Sequence, residues 1–147
     1  MAPPNVKIEP RSVVFVDTSA LVALVDNTDF FHTAAREIMY ELRRNHVRFC
    51  FTKLIIVEFL NSLCSVKFRK RAIDLADSMD SLESVSTISL DDSLYERAYE
   101  LYRNRPDKNW SLTDCASFVV MKDRGVDLAF TSDKHFEQAG FVGLLEN

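Results

Sequence analysis

The sequence predicts an α/β protein, three layers deep (α/β/α), built around a central parallel sheet of about five strands. Three observations predict it. Short runs of β-branched and aromatic residues alternate with longer stretches of helical periodicity, the pattern of parallel strands joined by crossover helices. Two of those runs drive straight into an acid: Val13-Val14-Phe15-Val16-Asp17, and Leu128-Ala129-Phe130-Thr131-Ser132-Asp133. Between them, residues 111–124 read as the clearest helix of the chain. Ser111 is a good N-cap, Asp114 falls at the third helical position, and Gly125 stands where a left-handed residue ends a helix.

Taken in order, residues 1–11 carry prolines at positions 3, 4 and 10 and no apolar stretch, so they read as a flexible leader before a single domain over 12–147. Val13–Val16 is the first strand, followed by a short apolar stretch over 20–25 that Asn27-Thr28-Asp29 breaks. Residues 31–44 have helical periodicity, and 49–51 form a brief strand. Thr52 can cap a helix running to about Val66, with a second helix from Lys67 to about Leu82 and a strand at Val85–Ile88. Asp91 or Asp92 opens a helix that must stop before Pro106, because proline cannot continue it. Residues 128–131 and 141–144 supply the last two strands.

Composition removes several classes of function. At 147 residues and 47% hydrophobic, the chain is large and apolar enough for one packed core and too apolar for disorder. No apolar run approaches the ~18–20 residues of a membrane span, and the start lacks the apolar core of a signal peptide, so no membrane role is expected. Cys50, Cys64 and Cys115 form an odd set without a CxxC pair and read as reduced core residues of a cytoplasmic protein. Gly125, Gly140 and Gly143 are the only glycines, so neither a Walker loop nor GxGxxG can be written. The net charge of −4 argues against a generally basic nucleic-acid binder. One local basic run, Lys67-Phe68-Arg69-Lys70-Arg71, fits either phosphate contact or a solvated helix face.

The acids carry the chemistry. In a parallel sheet, ligands bind beyond the carboxyl ends of the strands, and if both acid-ending strands share one sheet, Asp17 and Asp133 overhang one crevice. Carboxylates held close together repel unless a proton or a cation compensates, which points to a divalent metal. Asp17 equally fits a helix N-cap, Asp114 a capping box with Ser111, and Asp133 a turn. Glu58 lies in Leu54-Ile55-Ile56-Val57-Glu58-Phe59-Leu60, apolar on both sides, and reads as a carboxylate in a helix buried nearly all round. The bland alternative lets it reach solvent along a narrow stripe with Asn61. Asp17, Glu58, Asp114 and Asp133 can all converge on one sheet edge, and an oxygen-only ligand set selects Mg²⁺ or Mn²⁺ over zinc.

The chain resembles the PIN-domain nucleases, and most closely the VapC-type toxins of toxin–antitoxin pairs. The resemblance rests on Val16-Asp17-Thr18-Ser19-Ala20-Leu21, on Glu58 in its apolar helix, and on Ser111-Leu112-Thr113-Asp114-Cys115-Ala116-Ser117-Phe118. It is completed by Phe130-Thr131-Ser132-Asp133-Lys134-His135-Phe136 with the trailing Ala139-Gly140-Phe141. It extends from about residue 13 to 145, although residues 67–110 match only in helical character. It implies a PIN-like fold and a Mg²⁺-dependent endoribonuclease (with Mn²⁺ as the other option) that leaves 5′-phosphate and 3′-hydroxyl ends. It further implies that Asp17 and Asp114 are direct metal ligands, with Glu58 and Asp133 completing the pocket directly or through water. Thr18, Ser19, Thr113 and Ser132 would orient carboxylates or waters. The implied partners are an RNA substrate, a cognate antitoxin and a second copy in a homodimer.

A competing reading is a non-catalytic, Mg²⁺-binding signalling module of receiver type. Against it, Asp17 is followed by Thr18-Ser19 rather than by the acidic pair such a module needs. A Cys115–His135 nucleophilic site has nothing adjacent to activate the thiol. His135 itself reads as a packed turn histidine, and Trp110 as a residue stapled against Cys115 rather than a base-stacking platform.

Overall fold

Every strand-like run becomes a strand of one sheet in the computed structural model, which describes residues 6–146. The strands β1 (Val13–Val16), β2 (Arg48–Thr52), β3 (Val85–Ile88), β4 (Leu128–Phe130) and β5 (Val142–Gly143) lie in the order β3-β2-β1-β4-β5. All four pairings are parallel. Central β1 sets Val14 against Phe49 and Leu128, and Phe15 against Cys50 and Ala129. Val14, Phe15 and Val16 are buried, as a strand covered on both faces requires.

The order dictates the layers. From β1 the chain steps outward to β2 and β3, then crosses back over β1 to β4 and β5. Right-handed crossovers put the connections of opposite steps on opposite faces. The helices α1 (Thr18–Val25), α2 (His32–Arg44), α3 (Lys53–Ser62) and α4 (Val66–Asp80) accordingly pack among themselves on one side. On the other side lie α5 (Asp92–Asn104), α6 (Leu112–Arg124) and α7 (His135–Gln138). The reversal between β1 and β4 is the topological switch point, where such sheets open a crevice at the strands' carboxyl ends. A receiver-type sheet runs 2-1-3-4-5, whereas β1 here is flanked by β2 and β4. The topology is not that of a receiver.

Several boundaries differ from the sequence expectation. The apolar stretch after β1 is helix from Thr18 onward, capped by Asp17, whose side chain accepts from the Ser19 N–H. The helix expected to run to Val66 stops at Ser62, and Val66 begins α4 after the Ser65 N-cap. Thr52 stands at the N-cap of α3 but makes no capping bond, and its hydroxyl is buried without a partner. Helix α7 was not foreseen. Cys50 and Cys115 are buried free thiols as expected, but Cys64 is exposed, because it falls in the break between α3 and α4.

Of the expected leader, residues 1–5 lie outside the described residues. Val6 and Ile8 rest against the core, and the Arg11 N–H donates to the Asn45 carbonyl at 2.9 Å. No helix among the described residues is long and apolar enough to cross a membrane.

Candidate active site

Asp17 leaves the end of β1 and caps α1 while its own N–H donates to the Phe130 carbonyl of β4 at 3.0 Å, extending the β1–β4 pairing into the crevice. Its carboxylate is fixed by hydroxyls. Thr131 Oγ1 donates to Asp17 Oδ2 at 2.7 Å and Ser19 Oγ donates to the same oxygen at 2.8 Å. The two hydroxyls lie 3.1 Å apart. Backbone amides lock the array: Ser132 N–H donates to Ser19 Oγ at 3.0 Å, and Asp133 N–H donates to Thr131 Oγ1 at 2.9 Å. The ends of β1 and β4 are thereby tied through side chains after their ladder has finished.

Asp114 arrives on the first turn of α6. The capping box is fully formed: Asp114 N–H donates to Ser111 Oγ and Ser111 N–H donates to Asp114 Oδ2, both at 3.0 Å. The capping role is thus met, and the same carboxylate oxygen also faces His135, so the cap does not by itself exclude a site role. Asp133 Oδ1 accepts from the His135 N–H at 2.9 Å, which starts α7 and turns the imidazole back over the acids. His135 Nδ1 lies 3.0 Å from Asp114 Oδ2 and 3.4 Å from Asp133 Oδ1. One ligand atom from each of Asp114, Asp133 and His135 falls within 4.8 Å of the others, a grouping able to hold a metal ion.

Asp17 shows the electrostatic cost of this arrangement. Burial strips water from its carboxylate and pushes its pKa up to about 6 from 3.8, while the Thr131 and Ser19 hydroxyls pull it down and the negative charge of Asp114 adds to the rise. A divalent cation relieves both the desolvation and the repulsion. The donor set of carboxylates and one imidazole fits such an ion.

Glu58 does not join this group. The helix that reads as buried all round buries only Ile55 and Phe59, and Glu58 is exposed, as is Val57 beside it. Glu58 lines a shallow groove with Leu54, Asn61 and Thr113, which places it beside the first turn of α6. The solvent-facing alternative for Glu58 is the one the fold adopts.

Other sequence candidates resolve as follows. Ser19 orients Asp17 through its hydroxyl, and Ser132 contributes its backbone amide. Thr113 lines the Glu58 groove, while the Thr18 hydroxyl is buried without a partner. Trp110 is buried, with its ring edge-on to Phe118 at 5.0 Å and its Nε1 donating to Gln138 Oε1 at 3.1 Å. Phe118 and Gln138 anchor it, and the Arg105 guanidinium lies over its ring at 4.9 Å. Burial pushes the Cys115 thiol up to about 11, with the Asp114 charge adding to it, so no thiolate nucleophile is present near neutral pH. The basic run is largely engaged within the chain: Arg69 donates to the Cys64 carbonyl, Lys70 pairs with Asp74, and Arg71 donates to the Val25 carbonyl.

Two residues that contact these acids are not singled out by the sequence. Thr131 read as a strand-end residue, and its one signal was a hydroxyl two positions before a candidate acid. His135 read as a packed turn residue, although its place two positions after Asp133 is the spacing that folds the ring onto the acids.

The family model of the PIN domain matches residues 14–142. A curated relative, the 23S rRNA-specific endonuclease VapC20 of Mycobacterium tuberculosis, is 29% identical over 135 residues, covering 88% of this chain and 96% of its own length. The crystal structure of M. tuberculosis VapC20, described as a sarcin–ricin loop cleaving toxin, superposes with a TM-score of 0.78 at 25% identity, again over 88% of this chain and 96% of that one. The structure of VapBC2 from Rickettsia felis, bound to a DNA fragment from its promoter, shares the fold. It has a TM-score of 0.64 at 10% identity and covers 89% and 96% of the two chains.

Proposed function

The chain belongs to the PIN-domain family, and on that premise we propose that it is a metal-dependent endoribonuclease and the toxin of a toxin–antitoxin pair. The observation that supports the reading is the acidic group beside the switch point between β1 and β4, where Asp114 and Asp133 cluster with His135 and the charge of Asp114 acts on the buried Asp17. Asp114, Asp133 and Asp17 would hold Mg²⁺ or Mn²⁺, with Glu58 completing the pocket through solvent. When bound, the ion polarises the scissile phosphate and acidifies a water for attack on phosphorus.

The remaining work falls to the chain. The Thr131 and Ser19 hydroxyls hold the Asp17 carboxylate in one orientation, and the Ser111 box does the same for Asp114. Lys134, next to Asp133, supplies a cation for the RNA backbone at an otherwise acidic edge. The relative named for 23S rRNA makes a structured ribosomal RNA loop the first substrate to test. The site of action is then the cytoplasm.

An acidic crevice suits an inserted Arg or Lys from an antitoxin. A second feature favours the same partner. A groove of about 1220 Å³ between α2 and α4 is floored by Val16, Phe49 and Val85 and rimmed by Arg36, Arg43 and Arg71. An apolar floor with a cationic rim fits an acidic amphipathic segment. A homodimer is part of this proposal.

The test is purified protein with ribosomes or isolated large-subunit RNA, in Mg²⁺ or Mn²⁺ and in EDTA. A single cut that requires metal and disappears in Asp114→Asn supports the reading. Cleavage that persists in EDTA or in the variant defeats it.

A further inference from the structure

We propose that His135 enters the metal site as a nitrogen ligand beside Asp114 and Asp133, so that the site prefers Mn²⁺ to Mg²⁺. The proposal rests on the nuclease reading and deepens it. An oxygen-only set, as the four acids alone would give, suits Mg²⁺, which favours oxygen ligands and keeps several of its waters. Imidazole suits first-row transition ions instead, and Mn²⁺ accepts both donor types.

The geometry singles out this ring. His135 Nδ1 is 3.0 Å from one oxygen of Asp114 and 3.4 Å from one of Asp133. Neighbouring ligands at right angles around a six-coordinate ion, each about 2.1 Å from it, lie about 3 Å apart. The ring is also held in place. Asp133 Oδ1 accepts from the His135 N–H, and the next residue, Phe136, is fully buried with its ring 5.0 Å from Phe118 and 6.1 Å from Phe15. With α7 anchored at both points, the imidazole is set over the acids while its side chain keeps 28% exposure, enough for an ion to reach it. His32, by contrast, has its Nδ1 2.7 Å from the Ala23 carbonyl.

A positioning role is the competing account of the same distances: Nδ1–H would donate to Asp114 and never meet the ion. The two differ in what a spin probe reads. The experiment is pulsed EPR on Mn²⁺ bound to the full-length wild-type protein, with Mn²⁺/Mg²⁺ competition titrations on wild type, His135→Ala and His135→Asn. The asparagine amide can donate to Asp114 but offers the ion only oxygen.

Directly coordinated nitrogen is expected in the wild-type echo modulation and in neither variant. The Mn²⁺-over-Mg²⁺ preference is expected to fall by about tenfold or more in both, the size of effect that follows loss of a metal-site partner. A wild-type echo without coordinated nitrogen overturns the proposal without any variant, and so does wild-type selectivity retained by His135→Asn. Tight Mn²⁺ binding without nitrogen coupling removes only the role of His135. Failure of the wild type to bind either ion removes the nuclease reading as well.

Discussion

Asp114 on α6 and Glu58 on α3 were assigned by the sequence to one pocket, each near the start of a short helix rich in apolar residues. The fold treats the two helices in opposite ways. α6 buries an unbroken run from Asp114 to Met121, because β2 lies beneath it, α5 alongside and α7 against it. α3 touches α1, α4 and β2, and only Ile55 and Phe59 are fully covered, while Val57 keeps 47% exposure. Apolar content was enough to make both segments helical, but coverage came from the neighbours that each helix happens to meet. The acid on the covered helix is fixed by a capping box and lies beside His135, whereas the acid on the open helix faces solvent.

The largest effect expected from this contrast is on stability. Phe118 sits in the covered stretch of α6, with its ring 5.0 Å from those of both Trp110 and Phe136. Phe118→Ala should cost about 3–5 kcal/mol in denaturant or thermal unfolding, the usual range for an aromatic removed from a packed core. A loss under about 1 kcal/mol would mean that α6 is no better supported than α3.

Next in size is activity. Asp114→Asn should lower the cleavage rate more than about 100-fold, since even outer partners of metal ligands cost about 10–100-fold. Glu58→Gln should fall within that outer range. Equal losses from single-turnover assays of the two variants would put Glu58 at the ion itself and break the distinction between the helices.

Asp17 gives a pH-resolved effect. Its folded pKa of about 6 exceeds the unfolded value of 3.8, so between those values the folded protein binds more protons. Stability from this group therefore falls as pH rises from about 4 to about 6, and the penalty stays constant above that window. Asp17→Asn removes the penalty and should stabilise the metal-free protein by about 1–3 kcal/mol near pH 7.5. The gain should shrink toward zero as pH approaches 4. Saturating Mg²⁺ or Mn²⁺ should reverse the ranking, because ion at a hundredfold excess over Kd adds about 2.7 kcal/mol to the wild type and much less to the variant. Melts in EDTA that do not separate the two proteins at any pH would remove the electrostatic account of this carboxylate.

The smallest effect belongs to the open helix. Val57→Ala should change stability by no more than about 0.5 kcal/mol, as for surface positions generally. A larger loss in dilute solution would show that a second surface covers α3, and its dependence on protein concentration would identify that surface as another copy of the chain.

Local rules were enough for much of the molecule. The β-branched runs that end in Asp17 and Asp133, the Ser111–Asp114 box and the left-handed Gly125 are each decided within a few residues by side-chain shape and short-range hydrogen bonding. These rules gave the strands, the clearest helix and the placing of Asp17, Asp114 and Asp133 beside strand and helix ends. The fate of Glu58 could not be read the same way, because burial is a property of what packs against a helix and not of the helix's own composition. The same holds for Thr131 and His135, whose partners lie 114 and 21 positions away in the chain and come within reach only when β4 returns beside β1. The choice between opposite faces of the sheet for α1–α4 and α5–α7 likewise waited on the order of the strands. Sequence determined which residues were available for chemistry; the crossover back to β4 decided which of them share one crevice, since only long-range packing can hold like charges together against their repulsion.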